Sequence, residues 1–171
     1  MEKFFTEDVN KELDKSGSAF YELEQGQNEV RIVSDFVWGY KYDYANRAEA
    51  KEKKYPFYPV GSKEAKELSH KLTLVAAMVL FDYKSGDLKS FNIHQKKILN
   101  PMRAYVENDK YGDLTGYDIV ISKTGEGRDV EYSVIANPPE AMGKEVKEAL
   151  EGTTIKMDNV FNSESPIIRE E

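Results

Sequence analysis

The chain has 171 residues, 40% hydrophobic and 12% aromatic, enough to bury one good core and form a single domain. It contains no cysteine, which excludes disulfides, thiolate chemistry and Cys-based zinc sites, and its two histidines, His70 and His94, show no HExxH spacing. A net charge of −7 argues against a polyanionic partner only if it is evenly spread; residues 36–105 carry 13 Lys and Arg against 7 Asp and Glu, a balance of +6, and the rest carries −13.

Residues 1–17 read as a short helix, with Phe4, Phe5, Val9 and Leu13 at helical spacing and Ser16-Gly17-Ser18 ending it. Its role would be packing on the domain or contact with another subunit. The same stretch has acids where a signal peptide has a basic region and an apolar block, so a cytoplasmic protein is expected. Residues 20–24 alternate, 25–28 form a turn, and 28–36 read as the first strand. Phe36, Trp38, Tyr40, Tyr42 and Tyr44 then recur at every second position, which in an extended chain places all five rings on one face. Tyrosine hydroxyls that need partners favour a face that is partly wet.

Residues 45–71 read as an excursion between the first two strands. It carries Arg47, Lys51, Lys53, Lys54, Lys63, Lys66 and Lys71, with Tyr55, Phe57 and Tyr58 around Pro56 and Pro59, and 62–70 can form a short helix capped by Ser62. Basic residues interleaved with aromatics match the composition of single-stranded nucleic-acid binders, in which cations follow phosphates and rings stack on unpaired bases. The plainer alternative is a surface loop anchored by Phe57.

Residues 72–83 read as a second strand, apolar on both faces through Leu80 and therefore covered on both sides, with the N-terminal helix as the expected cover. This longest apolar run has the length of a strand, not of a membrane span. A turn over 84–87 leads into a third strand over 87–94, where Lys89, Phe91 and Ile93 share a face and Phe91 beside Lys89 is a second stacking candidate or a core residue. Because Pro101 would disrupt a helix interior, Asn100 is read as N-cap with Pro101 in first position, giving a helix over 101–108 with Lys96, Lys97 and Arg103 near its start. The loop 108–113 lacks the spacing of a calcium loop, so no metal site is expected. Strands over 117–123 and 129–136 flank a hairpin turn whose glycines match no phosphate-binding motif. A helix over 140–150 shows Met142, Val146 and Leu150 on one face with Gly152 beyond it; 153–161 can add a strand, and SESPIIREE reads as a mildly acidic, partly disordered tail.

Five strands with a helix between the third and fourth is the order of an OB-fold, a partly open five-stranded barrel whose face binds oligonucleotides or oligosaccharides. The expected fold is thus mainly β with helices: one OB-fold domain over 1–152, with N- and C-terminal helical additions, and an extension over 153–171.

NEVRIVSD followed by WGY, then LTLVAAMVLFDYKSGDLKSFNI, GYDIVISKTGEGRDVEYSV and a Pro-Pro helix resemble the phage single-stranded DNA-binding proteins, the OB-fold group of T4-like helix-destabilising proteins, over residues 20–152. The resemblance implies binding and protection of single-stranded DNA in replication or recombination, with an acidic C-terminal tail for partner proteins. Two departures stand out: without cysteine the zinc subdomain has no counterpart, and Arg169 offsets Glu164, Glu170 and Glu171 in the tail. The expected groove uses Trp38, Tyr40, Tyr42, Phe57, Tyr58 and Phe91 for stacking, with Lys41, Arg47, Lys53, Lys54, Lys89 and Lys97 as phosphate partners. No cofactor is expected, and single-stranded DNA is the expected ligand. An enzyme is disfavoured because Asp82, Asp87, Asp113 and Asp118 fall at strand ends and turns, where acids are common. The alternative from another class is an OB-fold protein- or carbohydrate-binding module whose aromatic run is an interface, including one between copies of the chain.

Overall fold

The computed structural model describes Phe4 and residues 20–169; the helix expected over 1–17 lies outside the described residues. Seven strands form one antiparallel sheet: β1 (Gly26–Ile32), β2 (Val37–Tyr42), β3 (Tyr58–Pro59), β4 (Leu72–Asp82), β5 (Asp87–Ile93), β6 (Asp118–Thr124) and β7 (Glu131–Ala136). A ribbon of β8 (Thr153–Ile155) and β9 (Ile167–Arg169) stands apart. The α-helices are α1 (Arg47–Glu52), α2 (Lys63–Glu67), α3 (Lys96–Glu107) and α4 (Lys144–Leu150).

The strand expected over 28–36 and the aromatic run after it are two strands along one edge of β4. Ile32 pairs with Leu80 and Val37 with Ala77, so five steps on one chain span three on the other. Residues 33–36 absorb the excess as a bulge. The Ser34 hydroxyl accepts the Val79 N–H at 2.8 Å, so the bulge leaves that ladder donor satisfied.

β4 carries the molecule because both of its faces are apolar. Ala76, Met78 and Leu80 face the main core, with Val30, Ile32, Phe91, Ile93, Ile98, Met102, Ile119 and Ile121. On the opposite face Val79 and Phe81 pack with Leu88 and Val146 of α4, and Val75 and Ala77 pack with Phe57. Among the described residues the cover on this second face is C-terminal: α4, β8, β9 and the 3-10 turn Met157–Asn162 supply Val146, Ile155, Ile167, Met157 and Phe161. The stretch expected as a partly disordered tail therefore folds back onto the sheet through Arg169, and the strand expected over 153–161 is confined to 153–155.

The sheet is not closed into a barrel. The strands that would have to meet are β5 and β7, which share no ladder. Tyr21 N–H donates to the Ser90 carbonyl at 2.7 Å on the β5 edge, and α3 packs along β7, joined to it by Lys97 and Glu131 at 3.0 Å. α3 itself begins five residues earlier than expected and holds Pro101 in its interior. Ile98 and Met102, one turn apart, are both fully buried in the main core. Burying two large side chains returns a few kcal/mol, comparable with the roughly 3 kcal/mol that an interior proline costs.

Candidate functional site

β2 divides the expected site between two faces of the sheet. Trp38, Tyr40 and Tyr42 share one face, beside Ala76, Leu74 and Leu72 of β4, and Tyr40 pairs with Tyr58 of β3. This is the core face prolonged past its cover: β5 ends at Ile93, opposite Ala76, so the ladder beyond it is open and Leu74 is 43% exposed and Trp38 41%. Phe36 meets Trp38 edge-on at 6.0 Å, and Tyr42 meets Tyr58 at 6.2 Å. The nearby cations are already engaged. Lys53 donates to the Tyr42 hydroxyl at 3.0 Å and pairs with Glu49 at 3.5 Å; Lys71 pairs with the same carboxylate at 3.1 Å, and its hydrogen bond holds the Glu49 carboxyl below the usual range. Arg47 donates to the Tyr44 hydroxyl at 2.6 Å and lies 4.7 Å from that ring.

The other face of β2 forms a groove. Gly39 presents no side chain there, and the Phe57 ring lies directly on it: a Cβ at Gly39 would stand 2.5 Å from the ring. Phe57 is 4% exposed, packs on Val75 and Ala77 and stacks with Phe161 at 5.2 Å. It is a structural wall, not the stacking residue expected. Beside it a cavity of about 500 Å³ is floored by Lys41, Ala77, Ser90 and Asn92 and rimmed by Phe20, Lys54, Tyr55 and Glu164. A smaller cavity of about 220 Å³ opens on the far side of Lys41 and Asn92, lined by Asp43, Tyr44, Thr73 and His94.

Lys41 is the centre of this groove and borders both cavities. Its Nζ lies 5.9 Å from the Phe57 centroid. It donates to the Asn92 side-chain oxygen at 2.8 Å, in the amide orientation that also lets Asn92 donate to the Phe91 carbonyl. Burial lowers its pKa from the usual lysine value. Among the described residues neither Lys41 nor Lys54 has a carboxylate partner.

The rim is built under local strain. Lys54 and Tyr55 follow α1 with φ of 63° and 54°, the left-handed region that costs side-chain-bearing residues of the order of 1 kcal/mol each. Tyr55 N–H donates to the Ala50 carbonyl at 2.6 Å, closing the turn. The reversal drops Phe57 onto Gly39 and leaves Tyr55 59% exposed at the lip.

The remaining expected residues lie elsewhere. Phe91 is 6% exposed and meets Tyr21 edge-on in the main core. Lys89 shares that inward face and pairs with Asp82 at 3.4 Å. Period two grouped Lys89, Phe91 and Ile93 correctly, but the face toward the groove is the alternate one, Ser90 and Asn92. Lys97 projects from α3 beside β7, paired with Glu131. The groove residues that the sequence reading passed over, Phe20, Ser90, Asn92 and His94, left one legible signal: two small polar residues flanking Phe91 in alternation. Among the described residues no cluster of three or more His, Asp or Glu could hold a metal ion, and no helix is long and apolar enough to cross a membrane.

Comparison with protein-family models, with curated proteins and with solved structures gives no match.

Proposed function

We propose that this protein binds single-stranded DNA in the groove between residues 43–58 and the β4–β5 surface, a non-enzymatic role suited to protecting exposed strands during replication or recombination. The observation that carries the reading is a groove with two cations, Lys41 and Lys54, that have no carboxylate partner among the described residues, and three exposed rings along it, Phe20, Tyr44 and Tyr55. Lys54 at the rim follows the phosphates, and each stacked base contributes about 1 to 3 kcal/mol. The strand order supports it: β5-β4-β1-β6-β7 is compatible with the order 3-2-1-4-5 of an OB-fold left unclosed, and the ligand face of that fold lies on strands two and three, which would correspond to β4 and β5.

Titration of a labelled thymidine oligonucleotide and a duplex of equal length, at low and high salt, tests the proposal. The single strand should bind more tightly, with affinity falling linearly in log salt; Lys54→Ala should reduce that slope by about one counterion. Absence of single-strand binding at low salt would remove the proposal.

Exposed Trp38 and Leu74, at diagonal positions on the opposite face, favour a second reading in which the aromatic surface is a protein interface. Self-association that is insensitive to salt and buries Trp38, without oligonucleotide binding, would select it.

A further inference from the structure

Among the concavities of the described residues, the larger cavity beside Lys41 differs from the others in what it offers a ligand. The shallow cleft beneath the β1–β2 bulge is wide and carries Asp35, Asp158 and Lys156. The one around Asn28 is crowded with Glu22, Glu24, Glu29 and Asp82, of which Glu24 pairs with Lys84 and Asp82 with Lys89. The Lys41 cavity is largely apolar in its wall, through Phe57, Ala77 and Val160, and its about 500 Å³ lies within the range of about 300 to 1,000 Å³ typical of pockets for small organic groups.

Its depth presents donors. Lys41 uses one N–H on Asn92 and keeps two for a ligand. The amide oxygen of Asn92 already accepts one hydrogen bond, from Lys41, and its NH2 is directed to the Phe91 carbonyl. Ser90, buried and alternating with Phe91, adds a hydroxyl to the same floor. The carboxylate of the lining, Glu164, stands exposed at the rim. Exposed Tyr55 and Phe20 border the opening, where a planar group can stack.

Resting on the single-strand reading above, we infer that this cavity takes one unstacked base and that Lys41 reads a keto oxygen on its edge, so that the groove prefers keto over amino bases. Uracil and thymine present O4 as an acceptor where cytosine presents an N4 amino donor. Lys41, which can only donate, hydrogen-bonds the first and meets the second donor to donor. The rest of the groove, which holds backbone and stacked rings, remains tolerant of sequence.

Deoxyuridine and deoxycytidine 15-mers, which share O2 and the sugar and differ at position 4 and in the proton on N3, test this interaction. The wild-type chain should bind the uridine oligomer about tenfold more tightly, the discrimination of one good base contact. Lys41→Met, with its fold checked by circular dichroism, should bind both with the weaker affinity. Lys41→Gln, which offers a donor and an acceptor together, should also erase the preference and serves if methionine disturbs packing. Equal wild-type binding of the two oligomers, or a preference undiminished in both variants, overturns the base pocket while leaving the groove reading intact. Failure of both oligomers to bind the wild-type chain overturns the groove reading and the pocket with it.

Discussion

The two faces of β2 differ by a single step of the chain and by almost everything else. One carries Trp38, Tyr40 and Tyr42, a broad aromatic surface whose neighbouring cations are neutralised by Glu49 or held by Tyr44. The other carries Gly39 and Lys41, the smallest residue and a single charge, yet it is the concave one. Concavity arises where an inserted segment folds over the sheet, and residues 53–58 can fold only onto a face that has room for Phe57. The glycine supplies that room. Aromatic richness marks an exposed surface; the absence of a side chain marks where something else comes down.

The sharpest way to break this comparison is at the wall. Phe57→Ala should cost about 3 to 5 kcal/mol, as for buried phenylalanines, and abolish oligonucleotide binding. Chemical denaturation measures it, and a loss under about 1 kcal/mol would return Phe57 to the surface. Gly39→Ala should follow at about 1 to 3 kcal/mol, since its methyl group overlaps the ring and forces Phe57 off its seat. Equal stability of this variant would show that the groove wall is soft.

Binding sharpens the contrast from the other direction. Lys41→Met should lower affinity for thymidine oligonucleotides about tenfold, as expected for loss of a contact of about 1 to 2 kcal/mol, while raising Tm by a few degrees, because a partly desolvated charge leaves the fold. A variant that loses stability along with affinity would make Lys41 a structural residue. Trp38→Ala, on the opposite face, should change affinity less than twofold; a tenfold loss would transfer the site to the aromatic surface. The fluorescence of that single tryptophan should accordingly respond only weakly to saturating oligonucleotide.

The smallest effect concerns alkaline stability. Burial pushes the Tyr117 phenol up to about 12 and also raises Tyr21 and Tyr83, with Asp118 adding to the last. Their stabilisation is complete below pH 10, where phenols in the unfolded chain are protonated. It is lost as pH rises toward 12, because the unfolded chain ionises first and is favoured. Denaturation midpoints should hold steady from pH 7 to 9 and fall from pH 10 upward, and a midpoint unchanged at pH 11 would place these phenols in water.

Local pattern alone determined a good part of this molecule. The unbroken apolar run Leu74–Phe81 announced a strand buried on both faces, the turn around Gly86 a hairpin, and the alternation over Asp118–Thr124 and Glu131–Ala136 a second one. These are short-range signals, set by the period-two geometry of the backbone and by turn chemistry. Tertiary structure decided the rest. Whether Phe91 or Asn92 faces water depends on which side of β5 the core occupies, and sequence period carries no sign. Whether Pro101 begins α3 or sits within it depended on burying Ile98 and Met102 together. Whether the sheet closes depends on β5 meeting β7, and here Tyr21 bonds to β5 while α3 packs on β7. The groove depended on Phe57 meeting Gly39 across 18 positions of chain, a contact between distant residues that no local periodicity encodes.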